Sequence, residues 1–192
     1  MLYSGYAHGL QGMIGALGSD PDPTSAQLSD ELAELYERSF GRDRGAGWAI
    51  SSATPDYRAH GWCHGSPGIL LGETGRFLRG DGSRASEVDL LIDVVSNDCF
   101  DLNFSLCHGD LGNLLILRRA ARARARQDVL SAVQLRVAQL SSDILPPRLA
   151  KPVGKTFQND SLMIGLAGIG YGLIALSGAV TVPDLLTFEV LR

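Results

Sequence analysis

Residues 107–117 read CHGDLGNLLIL. A cysteine–histidine pair leads into a Gly-x-x-Gly step, Gly109 to Gly112, and the step runs on into apolar residues. The frame recurs upstream as CHGSPGILLGE from Cys63 and as AHGLQGMIGAL from Ala7. A fourth copy, GLAGIGYGLIAL from Gly165, keeps the glycines and drops the histidine. The leading glycines Gly9, Gly65, Gly109 and Gly165 stand 56, 44 and 56 residues apart. Such spacing marks one supersecondary unit used repeatedly. Glycine lets two backbones approach closely, so each frame predicts a tight turn that opens a buried helix.

The stretches between the frames are amphipathic. TSAQLSDELAELYERSF (24–40) sets Leu28, Leu32, Leu35 and Phe40 at helical spacing, with Thr24 and Gln27 as a capping box. SRASEVDLLIDVV (83–95) offers Val88, Leu91, Ile92 and Val95, and DVLSAVQLRVAQL (128–140) offers Val129, Val133, Val137 and Leu140. Alternating strand patterns are few. The expected fold is all-α, with buried helices in an inner layer and amphipathic helices in an outer one. GSDPDPT (18–24) and LPPRLAKPVGK (145–155) read as surface loops.

Composition narrows the function classes. The 192 residues are 45% hydrophobic and 20% charged, ordinary for one globular domain with a sizeable core. A net charge of −4 argues against a whole-surface attraction to nucleic acid. Three widely spaced cysteines make no disulfide framework, and LYSGYAHGL after Met1 makes no signal peptide, so a cytoplasmic setting is expected. Ser161 to Pro183 carries no charge and is long enough to span a bilayer. Its five glycines between Gly165 and Gly178, and the abutting Asn159-Asp160, favour the centre of a larger helical protein, so no membrane span is expected. The arginine run at 118, 119, 122, 124 and 126 reads as a solvated helix face, with an acidic-peptide dock as the alternative.

Cys63, His64, Cys107 and His108 offer two sulfurs and two nitrogens, a set that zinc accepts in a tetrahedron. The spacing is not that of a zinc finger, so these groups converge only if the repeat brings equivalent turns together. The competing reading is two buried cysteines and two hydrogen-bonded histidines. Four protein ligands, with His64 as the fourth, make a closed structural site; three leave a position open. His8 fills the histidine place of a frame without a cysteine. It is a candidate acid/base beside such a metal, or else a core histidine bonded to a carbonyl. Cys99 lies outside the frames and reads as a packed or free thiol.

GYAHGLQG, GWCHGSPGI, CHGDLGNL and LMIGLAGIGYGLIAL resemble, in this order, the motifs of the lanthionine synthetase C-like cyclases, and VPDLLTFEVLR (182–192) resembles the end of the cyclase domain in bifunctional class II lanthipeptide synthetases. The resemblance runs from residue 5 to the end. It implies an α/α toroid, an inner ring of helices within an outer ring, with residues 1–192 as the C-terminal portion of a cyclase domain. It implies one zinc ion held by Cys63, Cys107 and His108, with His8 matching the active-site histidine. The implied reaction adds the cysteine thiolate of a dehydrated precursor peptide to a dehydroalanine or dehydrobutyrine, giving a thioether ring. Chains of this family carry further helical repeats before the AHG motif, and bifunctional ones a dehydratase domain. The four glycine frames therefore imply about half of a ring. The partners this suggests are an N-terminal half or a dehydratase domain, and the alternative to a cyclase is a non-catalytic peptide-binding or assembly piece with a structural zinc.

Overall fold

The computed structural model describes residues 1–40, 48–144 and 159–187. In chain order its helices are α1 (Leu10–Gly18), α2 (Pro23–Phe40), α3 (Ser66–Leu78), α4 (Ala85–Asp98), α5 (Asp110–Ala123), α6 (Gln127–Ile144) and α7 (Leu166–Ser177). The odd-numbered helices each start directly after a leading glycine, which is the N-cap residue. They pack side by side in the order α1, α3, α5, α7, and α2, α4 and α6 each cover the inner helix that precedes them. This is the expected two-layer order.

Glycine sets how closely the inner helices approach. A Cβ on Gly72 of α3 stands 2.3 Å from the buried Gln11 Oε1 of α1, and one on Gly172 of α7 stands 3.1 Å from Leu111 Cβ of α5. A larger residue at either point forces the facing side chain to shift.

The outer helices mostly follow their sequence pattern. Val88, Leu91, Ile92 and Val95 of α4 are fully buried. By area transfer each stabilises the fold by about 1.5–3 kcal/mol. Val129, Val133 and Leu140 of α6 are buried and Val137 packs against them. Helix α2 departs from expectation: its buried face is Ser29, Ala33, Tyr36 and Phe40, while Leu28 is exposed. Small residues face α1 because the two helices are close enough for Ser29 Oγ to donate to Ile14 O at 3.0 Å. The capping box at Thr24 and Gln27 is not formed either. Pro23 is already helical, Asp22 Oδ1 accepts from Thr24 N–H at 2.8 Å, and Gln27 Nε2 donates to Glu31 at 3.0 Å. An aspartate before a proline at the first helical position is the stronger start signal.

Among the described residues one small sheet interrupts the helices. β1 (Ala49–Ser51) pairs antiparallel with β2 (Thr54–Arg58), and Tyr3 bridges to Ser51. This ties the chain before α1 to the segment before α3. The apolar stretch 161–183 forms only the twelve residues of α7, and no helix among the described residues is long and apolar enough to cross a membrane. Residues 19–22 form the exposed α1–α2 loop. The loop expected at 145–155 lies outside the described residues.

Candidate metal centre

The turns before the inner helices are built alike. Leu10 N–H donates to Tyr3 O (2.9 Å), Asp110 N–H to Asn103 O (2.6 Å) and Leu166 N–H to Asn159 O (3.0 Å), each spanning seven residues. Asn103 Oδ1 accepts from Ser105 N–H and Asn159 Oδ1 from Ser161 N–H, at 2.8 and 2.9 Å. Ser105 and Ser161 then accept, through Oγ, from His108 N–H and Ile164 N–H, both at 3.3 Å. The second glycine of each frame lies under the incoming chain. A Cβ on Gly12, Gly68, Gly112 or Gly168 stands 1.8–2.2 Å from the carbonyl oxygen six residues earlier. No side chain fits there.

Equivalent turns are bonded edge to edge. Cys63 N–H donates to Cys107 O at 3.3 Å, and Cys107 N–H to Met163 O at 2.9 Å. The main chain thus sets Cys63 beside Cys107. Ligand atoms of Cys63, Cys107 and His108 all lie within 4.8 Å of one another, with the cysteines half-buried and His108 exposed. The Cys107 thiol donates to Cys63 and holds its pKa down at about 5, helped by the His64 and His108 rings; Cys107, as the donor, is raised. The cluster therefore favours a thiolate at neutral pH. Two thiols and one imidazole, partly open to solvent, suit zinc with a position to spare. Cys99 is apart from this group. It is fully buried, 3.3 Å from His60 Nδ1, and burial pushes its thiol up to about 12.

His64 takes another direction. Its ring stacks on that of His8 with centroids 4.9 Å apart, and lies 5.7 Å from the Tyr3 ring. Its Nδ1 is buried without a hydrogen-bond partner among the described residues. His8 is exposed and lines a cavity of about 710 Å³ together with Tyr6, Met13, Trp62 and the small residues Gly12, Gly15 and Gly72. Through His64 the cavity is joined to the backbone that carries Cys63.

The sequence profile of the family described as "Lanthionine synthetase C-like protein" matches residues 1–187. The chain belongs to this family. It is 28% identical over 183 residues to the Lacticin 481/lactococcin biosynthesis protein LcnDR2 of Lactococcus lactis subsp. lactis, covering 88% of this chain and 20% of that protein. The solved structure of nisin cyclase matches 93% of this chain and 47% of its own with a TM-score of 0.73 at 17% identity. The likeness shows the fold, an α/α toroid, of which α1 to α7 form an arc. The chain spans about a fifth and about half of these two relatives.

Within this lanthionine synthetase C-like arc, three supporting residues escaped the sequence reading. Asp110, the first residue of α5, is buried and accepts from Asp101 N–H and Leu102 N–H, both at 3.2 Å; burial raises its pKa. Asn113 is fully buried and donates through Nδ2 to His60 O and Cys99 O, both at 2.7 Å, linking the approaches to both cysteine turns. Trp62 Nε1–H donates to Leu186 O at 3.1 Å, so the chain after α7 returns to brace the residue before Cys63. One signal was readable: NFSLCHG (103–109) and NDSLMIG (159–165) are the same turn, with Cys107 and His108 replaced by Met163 and Ile164.

Proposed function

We propose that this chain is the C-terminal portion of a lanthipeptide cyclase domain, that Cys63, Cys107 and His108 hold a zinc ion, and that His8 transfers the proton that completes ring closure. The observation that carries the reading is the convergence of two cysteines and a histidine within 4.8 Å on turns joined to the His8 cavity. A zinc ion bound there supplies an open coordination position that acidifies a peptide thiol at neutral pH.

The chain's own residues account for the rest. The cavity bounded by Tyr6, Met13 and Trp62 takes the dehydrated residue of the precursor peptide and sheds water from it. The peptide thiol releases its proton to solvent, its sulfur bonds to the β-carbon of dehydroalanine or dehydrobutyrine, and the carbon–carbon π electrons move to give an enolate. His8 delivers a proton to the α-carbon, which restores the carbonyl. His64 holds the His8 ring by stacking. The test is a peptide with one dehydroalanine and one cysteine. Cyclisation leaves its mass unchanged and removes one alkylatable thiol. Thiol loss that requires His8 supports the reading; an unmodified thiol when the chain is supplied with its complementary cyclase segment contradicts it.

A second reading rests on α7. Leu166 and Ile174 of this last inner helix are 40% and 50% exposed. Uncovered apolar faces of a repeat unit call for a neighbour, as in an assembly piece that holds zinc structurally. Self-association in solution together with a zinc site that binds no peptide favours this alternative.

A further inference from the structure

The arginine run in and just after α5 splits into two groups with different fates. Arg124 and Arg126 face the outer layer and are neutralised: Arg124 pairs with Asp89 at 2.8 Å, and Arg126 with Asp93 at 3.1 Å and Asp128 at 2.8 Å. Arg118, Arg119 and Arg122 instead line a second inner cavity of about 470 Å³. Among the described residues of its lining the only carboxylate is Asp184, 3.1 Å from Arg119. A chain of net charge −4 thus gathers three arginines on one cavity.

The arrangement is costly unless an anion enters. Arg118 and Arg122 are like charges one helical turn apart, an unfavourable spacing. Arg118 is half-buried, and burial together with the neighbouring Arg122 holds its pKa below the usual guanidinium value. Its Nη1 donates to Leu176 O at 3.1 Å, which fixes the side chain. Arg122 has no ion pair among the described residues. Leu71 and Leu78 of α3 add aliphatic side chains to the lining. Guanidinium groups beside aliphatic side chains suit a carboxylate on a short hydrocarbon stem. Leu71 and Arg119 line this cavity and the His8 cavity alike, so the two cavities are neighbours.

We propose that the Arg118–Arg122 face of α5 is a carboxylate subsite that reads an acidic side chain of the peptide substrate. The peptide's identity rests on the cyclase reading above; the anion preference does not. The probe is a fluorescein-labelled hexapeptide with two glutamates, compared with its diglutamine twin by fluorescence anisotropy on the full chain, with inorganic phosphate as competitor. The glutamate peptide is expected to bind about tenfold more tightly, as for charge-assisted hydrogen bonds. In Arg122→Gln the two peptides should fall within about twofold of each other, with helical circular dichroism and zinc content unchanged. Arg118→Gln is the weaker variant, since it also uncaps α7. Equal binding of the two peptides to the wild-type chain, or a preference that survives Arg122→Gln, overturns the proposal. Displacement by phosphate at the concentration of the glutamate peptide overturns the peptide assignment by pointing to a free anion. A glutamate preference without any cyclisation when the complementary cyclase segment is supplied leaves this subsite standing and defeats the cyclase reading alone.

Discussion

The imidazole rings of His8 and His64 stack with centroids 4.9 Å apart and planes 29° from parallel. Each is the histidine of its own repeat, so the stack joins two copies of one turn whose histidines have different surroundings. His8 opens on the cavity, whereas His64 has a buried Nδ1 and stands next to Cys63 in the chain. Replacing His8 by Asn should slow ring closure by about 10²–10⁴-fold, the usual contribution of a general acid, and leave zinc content unchanged. His64→Phe, which keeps the stack, should retain more activity than His64→Ala, which loosens it. If His64→Phe is as slow as His8→Asn, then His64 carries the proton and the roles are reversed.

Two glycines of the same frame family should respond in opposite directions. A Cβ on Gly112 meets the Leu106 backbone oxygen at 1.9 Å, whereas Gly170, exposed on α7, has nothing within 4 Å. Gly112→Ala should destabilise the chain by at least about 1–3 kcal/mol, as forced overpacking does. Gly170→Ala should stabilise it by up to about 1 kcal/mol through helix propensity. Urea denaturation reads both. Equal effects of the two changes contradict the close-approach account of the turns.

The two-layer order, the starts of all four inner helices and the buried face of α4 were legible because they follow from glycine placement and hydrophobic period. The face of α2 was not. Leu28 and Leu32 carry more hydrophobic signal than Ser29 and Ala33, yet close packing on α1 selects the small residues. The hairpin 49–58 was missed because TPDYR is exposed and polar, held by pairing rather than burial. Candidate residues His8, Cys63, Cys107 and His108 stood out through the repeated frame. Asp110, Asn113 and Trp62 did not, since their partners are backbone groups far away or in irregular turns that no periodicity encodes.

Glu73 offers a test by pH. It is 1% exposed, accepts from Gln11 Nε2 at 2.7 Å and lies 3.7 Å from Arg76 and 3.9 Å from Arg84. Burial outweighs these partners and raises its pKa above 4.5. The folded state therefore binds this proton more tightly than the unfolded chain. The resulting stabilisation is complete below 4.5 and is lost as pH rises through the folded value. Relative to Glu73→Gln, the wild-type chain should lose stability as pH rises above 4.5, measured by urea denaturation at each pH. Taking the difference removes the acid release of metal common to both. A gap that moves the other way shows that Arg76 and Arg84 dominate over burial.

The central claim is that two repeat turns build an open three-ligand zinc site from Cys63, Cys107 and His108. X-ray absorption at the zinc edge tests it most directly, on the purified wild-type chain and on His64→Ala and Cys107→Ala. The account predicts one zinc per chain with two sulfurs, one imidazole and one further light ligand, at about 2.3 Å for sulfur and about 2.0 Å for nitrogen. That spectrum should be unchanged in His64→Ala, and the metal lost in Cys107→Ala. A second imidazole that disappears with His64→Ala, or zinc retained in Cys107→Ala, would contradict it.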